Sequence, residues 1–268
     1  MSAGAALRDT GAETLPSAIS VEGVSKVFRR KNMTITALQD ADLEIGAGRF
    51  VSLIGPSGCG KSTLLKAIAG LQPPSTGAVR VDGERVTVPL AEAGVAFQKP
   101  TLLPWRTVTE NISLPFNVSG SISKEEGARR VDRLLEITGL QDFAQHYPRE
   151  LSGGMEQRVA IARSLVLRPG LLLMDEPFGA LDEFTREDLN EELLRIWAAE
   201  PKTVVFVTHS ISEAVFLSDQ IVVMSARPGR IFDVFDVHVP RPRTAETRTS
   251  PEFNELVAHT RRVLDQAH

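Results

Sequence analysis

The feature that most constrains this chain is a glycine-rich segment between a strand pattern and a helix pattern. Residues 55–63 read Gly-Pro-Ser-Gly-Cys-Gly-Lys-Ser-Thr. The apolar run at residues 50–54 is typical of a buried strand, and residues 63–69 carry apolar side chains at helical spacing before Gly70. A strand, a Gly-x-x-x-x-Gly-Lys-Ser loop and a helix in this order form a P-loop, which predicts an α/β nucleotide-binding core.

The residue types of this loop suit a triphosphate, which needs several hydrogen-bond donors at short range. Glycines let backbone N–H groups turn inward, and the following helix adds the positive end of its dipole. Lys61 supplies a mobile charge, and the Ser62 hydroxyl can bind Mg²⁺, which prefers oxygen ligands. A glycine-rich turn with a chance likeness is the alternative, but the flanking strand and helix argue against it. We predict that ATP contacts Gly55, Pro56, Ser57, Gly58, Cys59, Gly60, Lys61, Ser62 and Thr63.

Composition narrows the class of protein further. The 268 residues are 42% hydrophobic with a net charge of −4, which fits a globular chain with a core and argues against a broad basic face for nucleic acid. Cys59 is the one cysteine, so no disulfide framework or cysteine-rich metal site is possible. Residues 1–17 lack the apolar core of a signal peptide and are predicted to be a disordered tail. We expect a cytosolic protein, or one held at a membrane only through a partner.

Strand and helix patterns predict a core with two additions. Strand patterns before the P-loop, with a hairpin signal at Asp82-Gly83, predict an antiparallel β subdomain. Residues 99–167 are mostly helical in pattern and predict a helical insertion. Apolar strand runs separated by helix patterns then return at 171–174, 204–207 and 221–224, which indicates a parallel sheet covered on both faces.

The end of the chain is predicted to be a linker and a helix, residues 240–268, which leaves residues 18–239 as the main domain. Ser250 is placed to cap this helix and Pro251 to open it, and its apolar side chains share one face. This face docks on the chain's own domain or contacts a partner, and we favour the first.

Two adjacent carboxylates end one of the predicted strands. Asp175 and Glu176 follow the apolar run at 171–174, at the carboxyl end of the strand, where ligands bind in parallel sheets. Asp175 is placed to hold Mg²⁺, and Glu176 to contact the water that attacks the γ-phosphate. A pair of solvated loop carboxylates is the alternative, which the P-loop upstream disfavours.

A second phosphate-ready helix start lies at residues 151–158, Leu-Ser-Gly-Gly-Met-Glu-Gln-Arg. A simple P-loop enzyme needs only one such helix end. This stretch resembles the signature motif of ABC-type ATPases, and the other motifs of that family follow in order. They are the P-loop, Gln98 as the Q-loop, Asp175-Glu176 as Walker B and catalytic glutamate, Ala180-Leu181-Asp182 as the D-loop and Thr208-His209 as the H-loop.

The resemblance implies the ABC ATPase fold, with a RecA-like core, and a head-to-tail dimer. The P-loop of one copy and Ser152, Gly153 and Gly154 of the other would enclose the same ATP, with Asp182 also at the nucleotide and Phe28 stacked on its adenine. Catalytic roles fall to Glu176, His209 and Gln98, and the metal ligands would be Ser62, Gln98 and Asp175. Read by itself, His209 could equally be a structural histidine.

Three further segments are similar to the ATP-binding subunits of bacterial nitrate, sulfonate and taurine importers. They are residues 102–108, 178–186 and 226–231. The resemblance implies a membrane permease as partner, an extracytoplasmic solute-binding protein acting indirectly, and a peripheral position on the cytoplasmic side of the cell (inner) membrane. Trp105 would anchor the permease, or else pack within the helical lobe.

Other functions for such an ATPase are work on nucleic acid or the ribosome, and export. A nucleic-acid partner is not expected, since the chain has no basic extension or long coiled-coil pattern and its net charge is negative. A small-molecule kinase would leave residues 151–158 unexplained.

Overall fold

The structure, a computed structural model, describes residues 15–30, 33–179 and 181–267. Most of the predicted tail and Ala180 of the predicted D-loop lie outside these residues. The strands are β1 (Ile19–Arg30), β2 (Met33–Ile45), β3 (Phe50–Ile54), β4 (Thr76–Val81), β5 (Glu84–Arg85), β6 (Ala93–Ala96), β7 (Leu171–Asp175), β8 (Thr203–Val207), β9 (Gln220–Ser225) and β10 (Arg230–Asp236).

Helices connect and cover these strands. They are α1 (Lys61–Ile68), α2 (Val108–Ser119), α3 (Lys124–Ile137), α4 (Gly153–Leu165), α5 (Glu183–Ala199), α6 (Ile211–Leu217) and α7 (Pro251–Gln266), with short 3₁₀ turns at Gln141–Phe143, Pro148–Glu150 and Ala245–Thr249. In the described part of the chain, no helix is long and apolar enough to cross a membrane.

The strands of the described residues form two sheets. The first has the order β2-β1-β4-β5 and is antiparallel, as predicted for the β subdomain. The second has the order β10-β9-β3-β8-β7-β6 and is parallel except for β10. Helices α2, α3 and α4 form the predicted helical insertion between β6 and β7. The predicted α/β architecture is confirmed.

Every residue of strands β3, β7 and β8 is buried. Since successive side chains of a strand point to opposite faces, these strands pack on a core at each face of the sheet. Phe206 and Val204 of β8 belong to a core that continues into the helical insertion and α7. Val205 and Val207 of the same strand belong to a second core, shared with α1 and the β subdomain. The apolar strands of the central sheet therefore pack on both cores and so connect to the helical insertion on one face and to the β subdomain on the other.

Strand β10 is the one sheet element that the sequence patterns missed. It lies at the sheet edge, and its pattern Arg-Ile-Phe-Asp-Val-Phe-Asp leaves most side chains exposed. Charged side chains on an edge strand discourage pairing with other chains and also mask the strand signal.

Residues 240–243, predicted as an extended linker, carry two arginines that bind the core. Nε and Nη2 of Arg241 donate to Asp219 Oδ1 at 3.0 and 2.8 Å, and the guanidinium lies 4.3 Å from the centroid of the Trp197 ring. Arg243 is 6% exposed, and burial lowers its pKa to about 10. It donates to the main-chain carbonyl groups of Val215, Phe216, Ser218 and Val239.

Helix α7 docks on its own domain. Ser250 caps it, as predicted, by accepting from the Phe253 N–H at 3.2 Å. Phe253 and Val263 are buried in the core that contains α6, and the ring of His259 contacts Phe235 edge-on, with centroids 5.0 Å apart.

We predict that Arg243→Met lowers the free energy of unfolding by about 2–4 kcal/mol, because several buried carbonyl groups lose their charged donor. Urea unfolding followed by circular dichroism measures the change. Arg230→Met is the matched control, since Arg230 is exposed. Equal stability of the two variants would contradict the structural role of Arg243.

Candidate functional site

The predicted P-loop and catalytic residues lie where four parallel strands end. In the sheet register, Asp175 at the end of β7 pairs with Val207 at the end of β8, which in turn pairs with Leu53 of β3. Met174 pairs with Ala96 at the end of β6. The residues that follow these strands therefore share one edge of the sheet, where ligands bind in parallel α/β folds.

The P-loop turns sharply from β3 into α1. Gly60 has φ +95° and caps α1, and a Cβ at this position would lie 2.7 Å from the Ala37 carbonyl oxygen. A side chain there would suffer both backbone strain and a clash with strand β2. The β subdomain thus sets the shape of the loop.

Lys61 is held inside the loop by two main-chain carbonyl groups. Its ammonium donates to Gly55 O at 2.8 Å and Pro56 O at 3.2 Å, and the residue is 6% exposed. The buried Cys59 thiol lies 3.8 Å from this ammonium, and burial raises the pKa of the thiol. Cys59 therefore stays protonated and serves as a small apolar side chain.

Ser62 and Asp175 meet across the gap between α1 and β7. Ser62 Oγ donates to Asp175 Oδ1 at 2.8 Å. Asp175 is 4% exposed, and burial raises its pKa, with the Ser62 hydrogen bond and the charges of Lys66 and Lys61 opposing the change. Two oxygen-bearing side chains of adjacent elements therefore face each other at the helix start.

Two other predicted site residues approach the carboxylate of Glu176. Gln98 Nε2 donates to Glu176 Oε2 at 3.0 Å, and His209 Nδ1 lies 3.6 Å from the same oxygen. Glu176 has φ +47°, a left-handed conformation that costs a non-glycine residue on the order of 1–3 kcal/mol and is found mostly at functional sites. Its N–H donates to the Val207 carbonyl group at 2.9 Å, which fixes this conformation.

The signature and D-loop residues lie against each other. Ser152 caps α4 by accepting from the Met155 N–H at 3.3 Å, and a Cβ on Gly154 would lie 2.8 Å from Leu181 Cδ2. Asp182 caps α5, and the hydrogen bonds from Thr185 hold the pKa of Asp182 below its ordinary value. Among described residues, no hydrogen bond joins residues 152–154 to the P-loop of the same chain.

Phe28 lies on the β1–β2 hairpin, paired with Ile35 and 40% exposed. The Lys26 ammonium is 5.5 Å from its ring centroid. The ring is accessible for stacking, and its strand β1 pairs with β2, whose Ala37 carbonyl oxygen lies next to the P-loop.

Two residues beyond the predicted set shape the site. Gln157, 2% exposed in α4, donates through Nε2 to the Phe97 carbonyl group at 3.1 Å and so ties the signature helix to the strand end that carries Gln98. A Cβ on Gly229 would lie 2.0 Å from Cys59 O and 2.7 Å from Ala37 O, and its own carbonyl group accepts from the Gln39 N–H at 2.8 Å. The Pro-Gly pair at 228–229 signals a turn but not this contact.

We predict that Gly229→Ala weakens ATP binding although residue 229 lies outside the loop motif. The added methyl group has no space next to the Cys59 carbonyl, so the P-loop must shift, and overpacking of this kind costs about 1–3 kcal/mol of stability. Nucleotide titration and thermal unfolding measure both effects. Gly46→Ala is the control, because the nearest atom to its Cβ would be at an ordinary 3.8 Å. Normal affinity in Gly229→Ala would show that this contact does not shape the loop.

Residues 38–179 match the family model described as ABC transporter. The chain is 47% identical to the aliphatic sulfonates import ATP-binding protein of Bacillus cereus, over 92% of this chain and 95% of that protein. It is 48% identical to the taurine import ATP-binding protein of Rhizobium johnstonii, over 92% of this chain and 96% of that protein.

Solved structures are similar as well. A dimeric ATP-binding cassette bound to ADP and Pi in a post-hydrolysis state superposes with a TM-score of 0.75 at 34% identity. The match covers 82% of this chain and 99% of that chain.

Proposed function

Because the chain belongs to the ABC transporter family, we propose that it is the ATP-hydrolysing subunit of a membrane importer for a small solute of the sulfonate, taurine or nitrate type. The names of the sulfonate and taurine import relatives support this class of solute. The sequence segments at 102–108, 178–186 and 226–231 are similar to the same class of importer subunits.

One arrangement carries the proposal: a single carboxylate oxygen, Oε2 of Glu176, approached by Gln98 at 3.0 Å and His209 at 3.6 Å beside the P-loop. These three side chains follow three different strands and meet at one sheet edge. A structural carboxylate has no need of a strained backbone and two polar neighbours.

In this proposal the P-loop binds the phosphates and Glu176 orients the attacking water. The water oxygen bonds to the γ-phosphorus, the bond to the β–γ bridging oxygen breaks, and the water proton passes to Glu176 late in the step, since a glutamate is a weak base at neutral pH. His209 holds the γ-phosphate and Glu176 in register, and Gln98 connects this point to the helical insertion through the neighbouring Phe97–Gln157 bond.

The residues that meet between α1 and the ends of β6 and β7 fit a magnesium ion. Ser62 Oγ, Asp175 and the Gln98 amide offer the hard oxygen donors that this ion prefers. Bound with ATP, Mg²⁺ would neutralise charge on the β- and γ-phosphates. In the described residues, no group of three or more His, Cys, Asp or Glu could hold a metal, so phosphate oxygens and water would complete the shell.

The working form is a head-to-tail dimer. Ser152, Gly153 and Gly154 form a second anion-ready helix start that no hydrogen bond of the described residues links to the P-loop of the same chain. A second copy would bring its own signature residues to this ATP, with Asp182 alongside. Similarity to a dimeric cassette supports this arrangement.

Co-purification tests the function as a whole. Glu176→Gln with ATP is used as bait in detergent-solubilised membranes of the source cells, and bound proteins are identified by mass spectrometry. We expect a multi-span permease, and reconstitution of that permease and its solute-binding protein with labelled sulfonates, taurine and nitrate would identify the solute. The double variant Lys61→Ala, Glu176→Gln is the control that cannot be loaded with ATP.

Recovery of ribosomal or nucleic-acid partners without a membrane protein would overturn the transport function and leave the ATPase chemistry intact. If the captured permease moves the solute only in the outward direction, the protein powers export instead.

Trp105 is the proposed permease anchor. Its side chain is 68% exposed, so it does not pack within the helical insertion. The buried Asn111 holds its loop, with Nδ2 donating to the carbonyl groups of Leu103, Arg106 and Thr107. A rigid loop that presents an exposed indole suits a protein contact.

We predict that Trp105→Ala keeps the ATP turnover of the isolated subunit and weakens permease capture by tenfold or more, since an anchoring Trp contributes on the order of 2 kcal/mol or more. Titration of the subunit against the detergent-solubilised permease measures the affinity. Val118→Ala, which also removes an exposed apolar side chain from the insertion, is the control. Equal affinity in both variants would place the permease contact elsewhere.

A further inference from the structure

Glu213 is a buried carboxylate that the proposed chemistry does not use. It lies in the first turn of α6 with its side chain 8% exposed. Burial raises its pKa, against the hydrogen bond from Thr208 and the charges of Arg186, His209 and Arg248. A buried acid costs stability unless its partners compensate, so its contacts matter.

The first partner is the turn that carries His209. Thr208 Oγ1 donates to Glu213 Oε2, and the same hydroxyl accepts from the Ser210 N–H at 3.0 Å. The Glu213 N–H in turn donates to Ser210 Oγ at 3.3 Å. Glu213 therefore holds both residues that flank His209.

This support matters because the His209 imidazole makes few contacts that would hold it in place. The His209 side chain is 62% exposed and lies 3.6 Å from Glu176 Oε2, and no described residue makes a hydrogen bond to its ring. Its position follows from the backbone of residues 208–210.

The second partner is Arg186 of α5. Its Nη2 donates to the Leu181 carbonyl group at 2.7 Å, next to Asp182. Its Nε lies 3.9 Å from Glu213 Oε1, and neither of these buried atoms has a hydrogen-bond partner among the described residues. Arg186 thus links the D-loop to Glu213 by charge.

The third contact with α6 comes from Arg248, which lies in the segment before α7. Its guanidinium lies 3.8 Å from the centroid of the Phe216 ring, and Nη1 donates to Ser212 Oγ at 3.4 Å. The first turn of α6 is therefore held from the nucleotide side, the D-loop side and the C-terminal side.

We propose that Glu213 is a positioning residue for ATP hydrolysis: through Thr208 it keeps His209 beside Glu176, and through Arg186 it fixes that turn relative to the D-loop. The inference rests on the role proposed above for His209. It assigns to a buried acid outside the family motifs the task of joining the H-loop to the D-loop.

A double-mutant cycle on the full chain tests it, with kcat and KM for ATP measured for Glu213→Ala, His209→Ala and the double variant. We expect Glu213→Ala to lower kcat at least about tenfold, because a small displacement of a catalytic group slows the chemical step, with KM changed less than about threefold. In the His209→Ala background the same change should lower kcat less than about twofold, because residues acting through one another are not additive. Glu213→Gln keeps an oxygen acceptor for Thr208 but loses the charge that attracts Arg186, so its kcat should lie between those of the unaltered chain and Glu213→Ala.

An equal fold loss in both backgrounds would overturn the proposal, because a purely structural role does not depend on His209. Thr208→Val gives the same comparison should Glu213→Ala fail to fold, and full turnover in Thr208→Val would also overturn it. If His209→Ala itself hydrolyses ATP normally, both the role of His209 and this inference are wrong. If His209→Ala is slow while Glu213→Ala is normal, only this inference is wrong.

Discussion

Glu176→Gln is expected to lower ATP turnover by on the order of 10²–10⁴-fold while ATP binding is kept. The variant retains the size and the hydrogen bond to Gln98 but loses the charge that orients the water. Because ATP persists, the variant should accumulate as a dimer. Single-turnover hydrolysis, nucleotide titration and size-exclusion chromatography with light scattering measure the three properties.

The control is Glu125→Gln, which removes an exposed carboxylate from the first turn of α3. Near-normal hydrolysis in Glu176→Gln would remove this residue from the chemistry. Loss of ATP binding in the same variant would mean that Glu176 shapes the phosphate site rather than the water.

Lys61→Ala is the second large effect, and it should abolish measurable ATP binding. The ammonium is a charged donor to phosphate, and each such hydrogen bond contributes about 1.5–3 kcal/mol. The variant also loses the bonds to Gly55 O and Pro56 O, so the loop that presents the backbone N–H groups loses an internal support. Fluorescent-nucleotide titration measures the affinity.

Lys124→Ala removes an exposed cation from α3 and is the matched control for charge. Retained nucleotide affinity in Lys61→Ala would contradict the assignment of residues 55–63 to phosphate binding. A partial loss of affinity with normal hydrolysis at saturating ATP would mean that Lys61 binds the ground state and the transition state equally well.

The motifs could be found from the sequence because each is local. The P-loop, the carboxylate pair after β7 and the cap at Ser152 are short patterns whose side chains act next to their own backbone. The periodicities also predicted the helical insertion and the parallel strands, because buried strands are apolar without a break.

The sequence patterns could not predict that these motifs lie next to one another in space. The 3.0 Å contact between Gln98 and Glu176 depends on the pairing of β6 with β7, and the approach of His209 depends on β8. The resemblance to a family implies the roles of these residues but not the distances between them. The left-handed backbone of Glu176 carries no sequence signal at all, since glutamate rarely adopts it.

Contacts between distant segments were missed for the same reason. Arg243 sits in a Pro-Arg-Pro-Arg run that has the composition of a linker, yet its guanidinium is buried against α6. Burial of a charged side chain is rare enough that composition argues against it. Only the surrounding carbonyl groups explain it.

The position of β3 has a consequence for how the protein is made. The strand that leads into the P-loop has β8 and β9 as its neighbours, and the loop itself is confined by Gly229. During synthesis the motif at 55–63 leaves the ribosome long before residues 203–229. Strand β3 therefore has no partner strands until those later residues have been made. Non-local pairing of this kind slows folding and exposes strand edges. ATP therefore has no finished loop to bind until residues 203–229 have been made, and the nucleotide can stabilise the product of folding but cannot guide its early steps.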